Sequence, residues 1–426
     1  MKSTKTIKIG IFGLGRGKAF FESLMYCNAE IVAICDRDDS RRNAIWEMLG
    51  KSPTPYTNFD EFIEHKGLDA VVVSNCFHQH APYAIRCLEK NIHVLSECTS
   101  NGTMAEGVAL VRAAEKSKAI YMLAENYPYR RFNREITRVC EEGTLGKILY
   151  AEGEYNHPVA PDDLNFYKTY RFYVDHWRHY CPATYYITHS LAPIMQATRA
   201  IPIRVTAMPV FAPFTDEPLN VSRGADRAAI ITCLNNDDSV FRITGCAQFG
   251  AHENSYRVCG INGQVESLRG MGEHVMLQYN AWSVPEGKKQ INLYEPAWDD
   301  PDAEIIKKQG HGGGDFYIVR EFLNAVRSGK PHMFDVHFAT TMASVGILAH
   351  RSMMEGGAPY DIPDFHKEED RKKYENDYLT PFLGDNGEAP TLPCCSHPDY
   401  LPTPEQYAKY KEVMGEYNPM LHEKDI

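Results

Sequence analysis

A short apolar run, Ile7–Phe12, ends directly in Gly13-Leu14-Gly15-Arg16-Gly17, and a second apolar run, 31–34, leads to Asp36 about 20 residues further on. This pairing constrains the fold more than any other feature of the chain. A tight strand-to-helix turn needs positive φ, and a pyrophosphate can approach backbone N–H groups only where no Cβ intrudes. The spacing departs from G-x-G-x-x-G, because position 18 is Lys, with Gly17 one place early and Ala19 one late. A dinucleotide is the expected ligand, held by Gly13, Leu14, Gly15, Arg16, Gly17, Asp36 and Arg37. Asp36 would hold the ribose hydroxyls and repel a 2′-phosphate, which favours NAD over NADP; Arg37, Arg41 and Arg42 moderate that preference.

The rest of the first 125 residues repeats the pattern. Ala70–Val73, 93–95 and 120–124 read as strands buried on both faces, with amphipathic stretches between them, such as Met104, Val108, Val111 and Ala114 at helical spacing. This predicts a doubly wound parallel sheet over residues 1–127. After about residue 145 the texture changes. Runs 203–211, 228–234, 240–249, 256–260 and 264–268 alternate with turn signals such as Asn262-Gly263. They predict a second domain, 128–360, on a large open, mostly antiparallel sheet with one face covered. Helical pattern returns at 315–328 and 339–355. The charged, Pro- and Tyr-rich tail, 361–426, is expected to pack on the body or a neighbouring subunit, with helix only near 404–415.

Composition narrows the partners. Of 426 residues, 45 are Lys or Arg and 56 Asp or Glu, a net charge of −11, which argues against nucleic acid and anionic membrane surfaces. Twelve cysteines lie without a CxxC repeat, the only close pair being Cys394 and Cys395. With no export signal and no run near the ~18 apolar residues of a membrane span, they read as buried thiols in a cytoplasmic protein.

Further motifs identify a relationship. Ser74-Asn75-Cys76-Phe77-His78-Gln79-His80, Asn91-Ile92-His93-Val94-Leu95-Ser96-Glu97-Cys98-Thr99, Tyr129-Arg130-Arg131-Phe132-Asn133 and Gly143-Thr144-Leu145-Gly146-Lys147-Ile148 follow one another. In that order they resemble the glucose–fructose oxidoreductase / inositol dehydrogenase / MocA (Gfo/Idh/MocA) superfamily. The resemblance implies a Rossmann domain, an open-sheet domain and association as homodimers or homotetramers. It departs at the lysine of the family's Glu-Lys-Pro, where Cys98 stands, and at the Asp of Asp-x-x-x-His, where Tyr185 precedes the retained His189. A thiol is mostly neutral near pH 7 and cannot replace a cationic relay.

Four segments are instead similar to the NAD-dependent glycosidases of glycoside hydrolase family 109: Leu123-Ala124-Glu125-Asn126, Ala151-Glu152-Gly153-Glu154-Tyr155-Asn156-His157, Tyr186-Ile187-Thr188-His189 and Gly310-His311-Gly312-Gly313-Gly314-Asp315-Phe316. That branch implies a small-molecule sugar or glycoside as substrate. The chemistry is transient oxidation at carbon-3, deprotonation at carbon-2, elimination of the aglycone, water addition and re-reduction. It needs bases beside a nicotinamide rather than two carboxylates flanking the bond.

His189 is the expected base at the oxidised hydroxyl, Tyr155 the group at carbon-2, and His157 a relay or sugar contact. Tyr155 would need a depressed pKa or a relay for that role. Trp177, Arg178 and Tyr186 are expected to hold the sugar, with His311 and Asp315 flanking a loop that closes on it. Ser74, Asn75, His80, Glu97, Cys98 and Glu125 belong near the cofactor, at strand carboxyl ends. His176 and His179 have H-x-x-H spacing but no supporting acidic motif, so no metal is expected. An ordinary sugar or polyol dehydrogenase and a non-enzymatic NAD(H)-binding regulator are the competing readings.

Overall fold

The structure is a computed structural model that describes residues 5–414 except 172 and 385. Six short strands build the first sheet: β1 (Ile7–Phe12), β2 (Ala29–Cys35), β3 (Thr54–Tyr56), β4 (Ala70–Val73), β5 (His93–Ser96) and β6 (Tyr121–Leu123). They pair in the order β3-β2-β1-β4-β5-β6, all parallel. Ala70–Val73 is wholly buried, as expected of a sheet with helices on both faces. The order reverses between β1 and β4, and a cleft for a ligand opens at that switch point. The glycine turn follows β1, and the Ser74–His80 loop follows β4. Strand β3 was not evident in the sequence; it carries Pro55 and lies at the sheet edge, where a missing donor is tolerated.

Nine strands build the second sheet: β7 (Ile148–Asn156), β8 (Pro202–Phe211), β9 (Asp226–Asn235), β10 (Val240–Ala247), β11 (Glu253–Gly260), β12 (Gly263–Ser267), β13 (Val275–Tyr279), β14 (Ile291–Tyr294) and β15 (Tyr360–Asp361). The order is β14-β13-β12-β11-β7-β10-β9-β8-β15. β7 and β10 run parallel, and the other pairs are antiparallel. Burial alternates along the strands. Phe241 and Ile243 face the covering helices, while Arg242 between them is exposed and pairs with Glu152 across the strands. The free face also bares Met208 and Ile230.

The tail crosses this body. Arg351 binds Asp377 through both oxygens, and Phe382 stacks on His78. The helix Pro404–Met414 buries Tyr410 against Tyr167, Leu219 and Val221. Gly415, the end expected for that helix, lies outside the described residues. All twelve cysteines are free thiols. Among the described residues no helix is long and apolar enough to cross a membrane.

Candidate active site

The glycine turn is built by close approach. Gly13 has φ 89°, and a Cβ there would lie 2.4 Å from the Ser74 carbonyl oxygen. A Cβ at Gly17 would strike Ile11 and the Ser74 hydroxyl, so Gly17, despite its early place, performs the helix-to-strand packing of the third fingerprint glycine. In front of Gly15 there is open space, the nearest atom being 4.0 Å away on Arg41. That cradle fits a dinucleotide pyrophosphate. Asp36, at the end of β2, accepts the Leu14 N–H at 2.8 Å and lies 3.3 Å from Arg41. The side-chain Oδ1 of Asn75 is buried without a partner, and Arg37 is half-buried beside Asp36.

Several residues expected at the cofactor are committed elsewhere. The Ser74 hydroxyl lies 2.8 Å from the Gly13 carbonyl oxygen and steadies the turn. His80 is buried, its two ring nitrogens facing the carbonyls of Thr99 and Asn75 at 2.8 and 3.3 Å. Its task is to tie two loops together. Arg16 gives Nε to Glu97 at 2.7 Å and both terminal nitrogens to Asp315 at 2.7 and 3.0 Å. Asp315 also receives Asn126 at 2.8 Å and His311 at 3.0 Å, and it is almost wholly buried. Burial would raise its pKa, but His311 and Arg16 outweigh that and hold the carboxyl far below its usual range. Asp315 is thus a bolt between the glycine turn and the second domain, not the substrate contact expected of it. His311 remains partly exposed, 6.0 Å ring to ring from Tyr127.

A second cluster forms where the first sheet meets the helix Thr188–Thr198. The Nδ1 of His189 lies 2.9 and 3.1 Å from the two oxygens of Glu125, which follows β6 and is wholly buried. A carboxylate can only accept here, so Nδ1 carries the proton and Nε2 is free to take one. Burial opposes the charge on Glu125; His189 and the Tyr127 N–H together overcome it and lower its pKa. The Cys98 thiol donates to the same carboxylate at 3.2 Å, and burial beside Glu125 keeps it protonated. Glu125 therefore orients His189.

The helix is brought close by small residues. A Cβ on Gly153 of β7 would sit 1.9 Å from the Ser190 carbonyl oxygen. Two positions along β7, the ring of Tyr155 meets that of His189 edge-on, centroids 5.0 Å apart. Burial, followed by Cys246, Tyr127 and Tyr186, raises the Tyr155 pKa far above its ordinary value. Of the two conditions expected for its role, a depressed pKa or a relay, the raised value speaks against the first and leaves the relay. Tyr127 stacks on His189 at 4.1 Å and meets the Tyr155 ring edge-on at 5.4 Å. It was missed in the sequence, although it directly follows Glu125-Asn126. His157 lies 5.7 Å from Tyr155, ring to ring; burial and then His252 and Arg178 lower its pKa.

An aromatic wall closes the far side. Trp177 stacks on Phe77 at 5.1 Å, and Phe77 on Tyr186 at 5.3 Å. Arg178 lies over Trp177 at 4.4 Å. Imidazole, phenols, a flat apolar wall and a dinucleotide cradle together suit proton transfer to and from a polyhydroxylated ring.

Residues 7–125 match the family model described as oxidoreductase family, NAD-binding Rossmann fold (GFO_IDH_MocA), and residues 225–372 match that of the glycosyl hydrolase 109 C-terminal domain. A glycosyl hydrolase family 109 protein of Shewanella pealeana is 22% identical, across 84% of this chain and 85% of that protein. An alpha-N-acetylgalactosaminidase of Shewanella oneidensis is 21% identical, across 85% of each. Among solved structures, levoglucosan dehydrogenase in complex with NADH and levoglucosan has a TM-score of 0.71 at 16% identity, covering 84% of this chain and all of that one. The chain therefore joins an NAD-binding Rossmann domain of the oxidoreductase family to a second domain of the glycosyl hydrolase 109 type.

Proposed function

We propose that this Gfo/Idh/MocA-type chain, with its glycoside hydrolase 109-type second domain, cleaves a sugar glycoside through transient oxidation at carbon-3. The reading is carried by the Glu125–His189 pair, set where the lysine of simple dehydrogenases is replaced by Cys98. NAD, when bound at the Gly13–Gly17 turn, supplies reversible oxidation of the sugar hydroxyl; Asp36 supports NAD over NADP. His189, fixed through Nδ1 by Glu125, takes the carbon-3 hydroxyl proton on Nε2 and later returns it. Tyr155, protonated at rest, receives the carbon-2 proton only as its own leaves toward the neutral His157, whose ring lies 5.7 Å away, since His189 by then holds the carbon-3 proton. Loss of that proton expels the aglycone from carbon-1, and water adds to the unsaturated ketone. Trp177 and Tyr186 face the pyranose, and His311 overhangs it. The free face of the second sheet offers the surface for a homodimer or homotetramer.

The second reading is an ordinary sugar or polyol dehydrogenase that releases ketone and NADH, since the Glu125–His189 pair serves oxidation alone equally well. Incubation with p-nitrophenyl glycosides separates the two. Steady nitrophenol release with no net NADH, and deuterium at carbon-2 in deuterium oxide, is the expected result. Stoichiometric NADH, or product without deuterium, overturns the elimination route.

A further inference from the structure

Beyond Tyr155 the wall of the site carries positive charge with no counter-ion among the described residues. Arg171, at the end of the helix Leu164–Tyr170, is only 8% exposed. Its Nε has no hydrogen-bond partner, and no described carboxylate pairs with its guanidinium. It rests between the faces of Phe166 and Tyr167, at 5.5 and 5.8 Å. Arg178 stacks on Trp177 and likewise has no described ion pair. Other arginines at this depth are matched: Arg351 by Asp377, and Arg371 by Glu115. An unpaired buried cation is costly, so its retention calls for a partner that arrives from outside.

The two charges converge. Arg178 lies over the ring of Tyr170, the residue before Arg171, at 5.5 Å as well as over Trp177, which sets the two guanidinium-bearing segments side by side. Both lie near Cys246, whose backbone is the register partner of Tyr155. Arg178 acts also on Tyr186 and His157. His176 and His179, also buried, have their pKa values lowered first by burial, then by Arg178 and Arg171 at His176 and by Arg171 at His179. The dinucleotide's own phosphates have their place at the glycine turn of the other domain.

We infer that Arg171 and Arg178 recognise an oxyanion carried by the sugar: the carboxylate of a uronic acid, or a sulfate or phosphate ester. The inference rests on the carbohydrate reading of the site and specifies the class of sugar. A guanidinium fork matches the paired oxygens of all three groups, and the low-dielectric wall strengthens the attraction.

Calorimetry on the NADH-loaded wild type, which cannot oxidise the sugar, tests it without turnover. Methyl glucuronide is compared with methyl glucoside, galacturonate with galactose, and glucose 6-sulfate and 6-phosphate with glucose. One anionic class is expected to bind about ten- to a hundred-fold tighter than its neutral match, with the preference shrinking as salt rises. The arm that wins names the source of the charge. Arg171→Gln and Arg178→Gln should each erase most of the preference; if Arg171→Gln does not fold, Arg178→Gln and the salt dependence decide. Equal or tighter binding of the neutral sugars overturns the inference, as does a preference that survives both substitutions. So does loss of NAD binding in the variants while the sugar preference stays intact. Steady hydrolysis confined to neutral glycosides sinks the inference and leaves the proposed function standing. Anionic preference with neither hydrolysis nor NADH formation does the reverse.

Discussion

The hydroxyl of Tyr256 donates to the carbonyl oxygen of His189 at 2.6 Å, and the reason lies four residues along the helix. Pro193 sits inside Thr188–Thr198 and has no N–H to offer that carbonyl. A phenol on β11 therefore completes the backbone of the residue that holds the candidate base. Tyr256→Phe leaves the carbonyl buried and unpaired, an expected loss of about 1–3 kcal/mol in urea unfolding. Pro193→Ala restores an N–H, so the same Tyr256→Phe change should lose less in that background. Equal losses in both backgrounds would show that the two residues do not compensate.

Glu125→Gln tests the orienting role. The amide is neutral and offers His189 both a donor and an acceptor, so neither ring tautomer is enforced. Turnover should fall about 10²–10⁴-fold while nicotinamide binding, read by protein fluorescence, persists. His189→Ala should fall by a similar factor, and the double variant little further, since the pair acts as a unit. Additive losses would mean that Glu125 has a separate task.

Most strands of the first sheet and five of the nine in the second were legible as apolar runs broken by turn signals, whereas β3, β7 and β13 were not. The glycine turn, Asp36 and His189 were legible because backbone and proton chemistry dictate residue type there. The ends were not. β14 carries Ile291 and Leu293 half exposed at the sheet edge, where no buried face imposes a pattern. Nor could local pattern show that Asp315 closes on Arg16, 299 residues away, or that Glu125 serves His189 rather than the cofactor. Those pairings depend on how the two domains meet, and Tyr127 and Tyr256 gain their roles from the same meeting.

His350 sets a pH dependence of stability. It is wholly buried, its Nε2 donates to the Pro393 carbonyl at 2.8 Å, and burial pushes its pKa down to about 4. Above pH 6.5 the ring is neutral in both folded and unfolded chains and contributes no slope. Between 6.5 and 4 only the unfolded chain takes the proton, so stability falls as pH falls, by up to about 1.4 kcal/mol per pH unit and about 3 kcal/mol in all. His350→Gln removes that share, and its unfolding free energy should decline less steeply from pH 7 to 4.5. Parallel slopes for variant and wild type would clear His350 of the effect.

The proposed preference for NAD over NADP is tested at Asp36. Its carboxylate accepts the Leu14 N–H and lies against Arg41, so Asp36→Asn keeps an acceptor for the turn while deleting the charge. The repulsion of a 2′-phosphate then vanishes, and Arg41 and Arg42, which contacts the Asp36 carbonyl at 2.8 Å, stay close enough to attract it. Fluorescence titration should show NADP affinity rising about ten-fold or more, with NAD affinity falling about ten-fold as the ribose loses a charged acceptor. Because the phosphate carries the new attraction, the gain for NADP should fade with added salt and the loss for NAD should not. A variant that still ignores NADP would place the discrimination in the shape of the 36–42 loop rather than in the charge of Asp36.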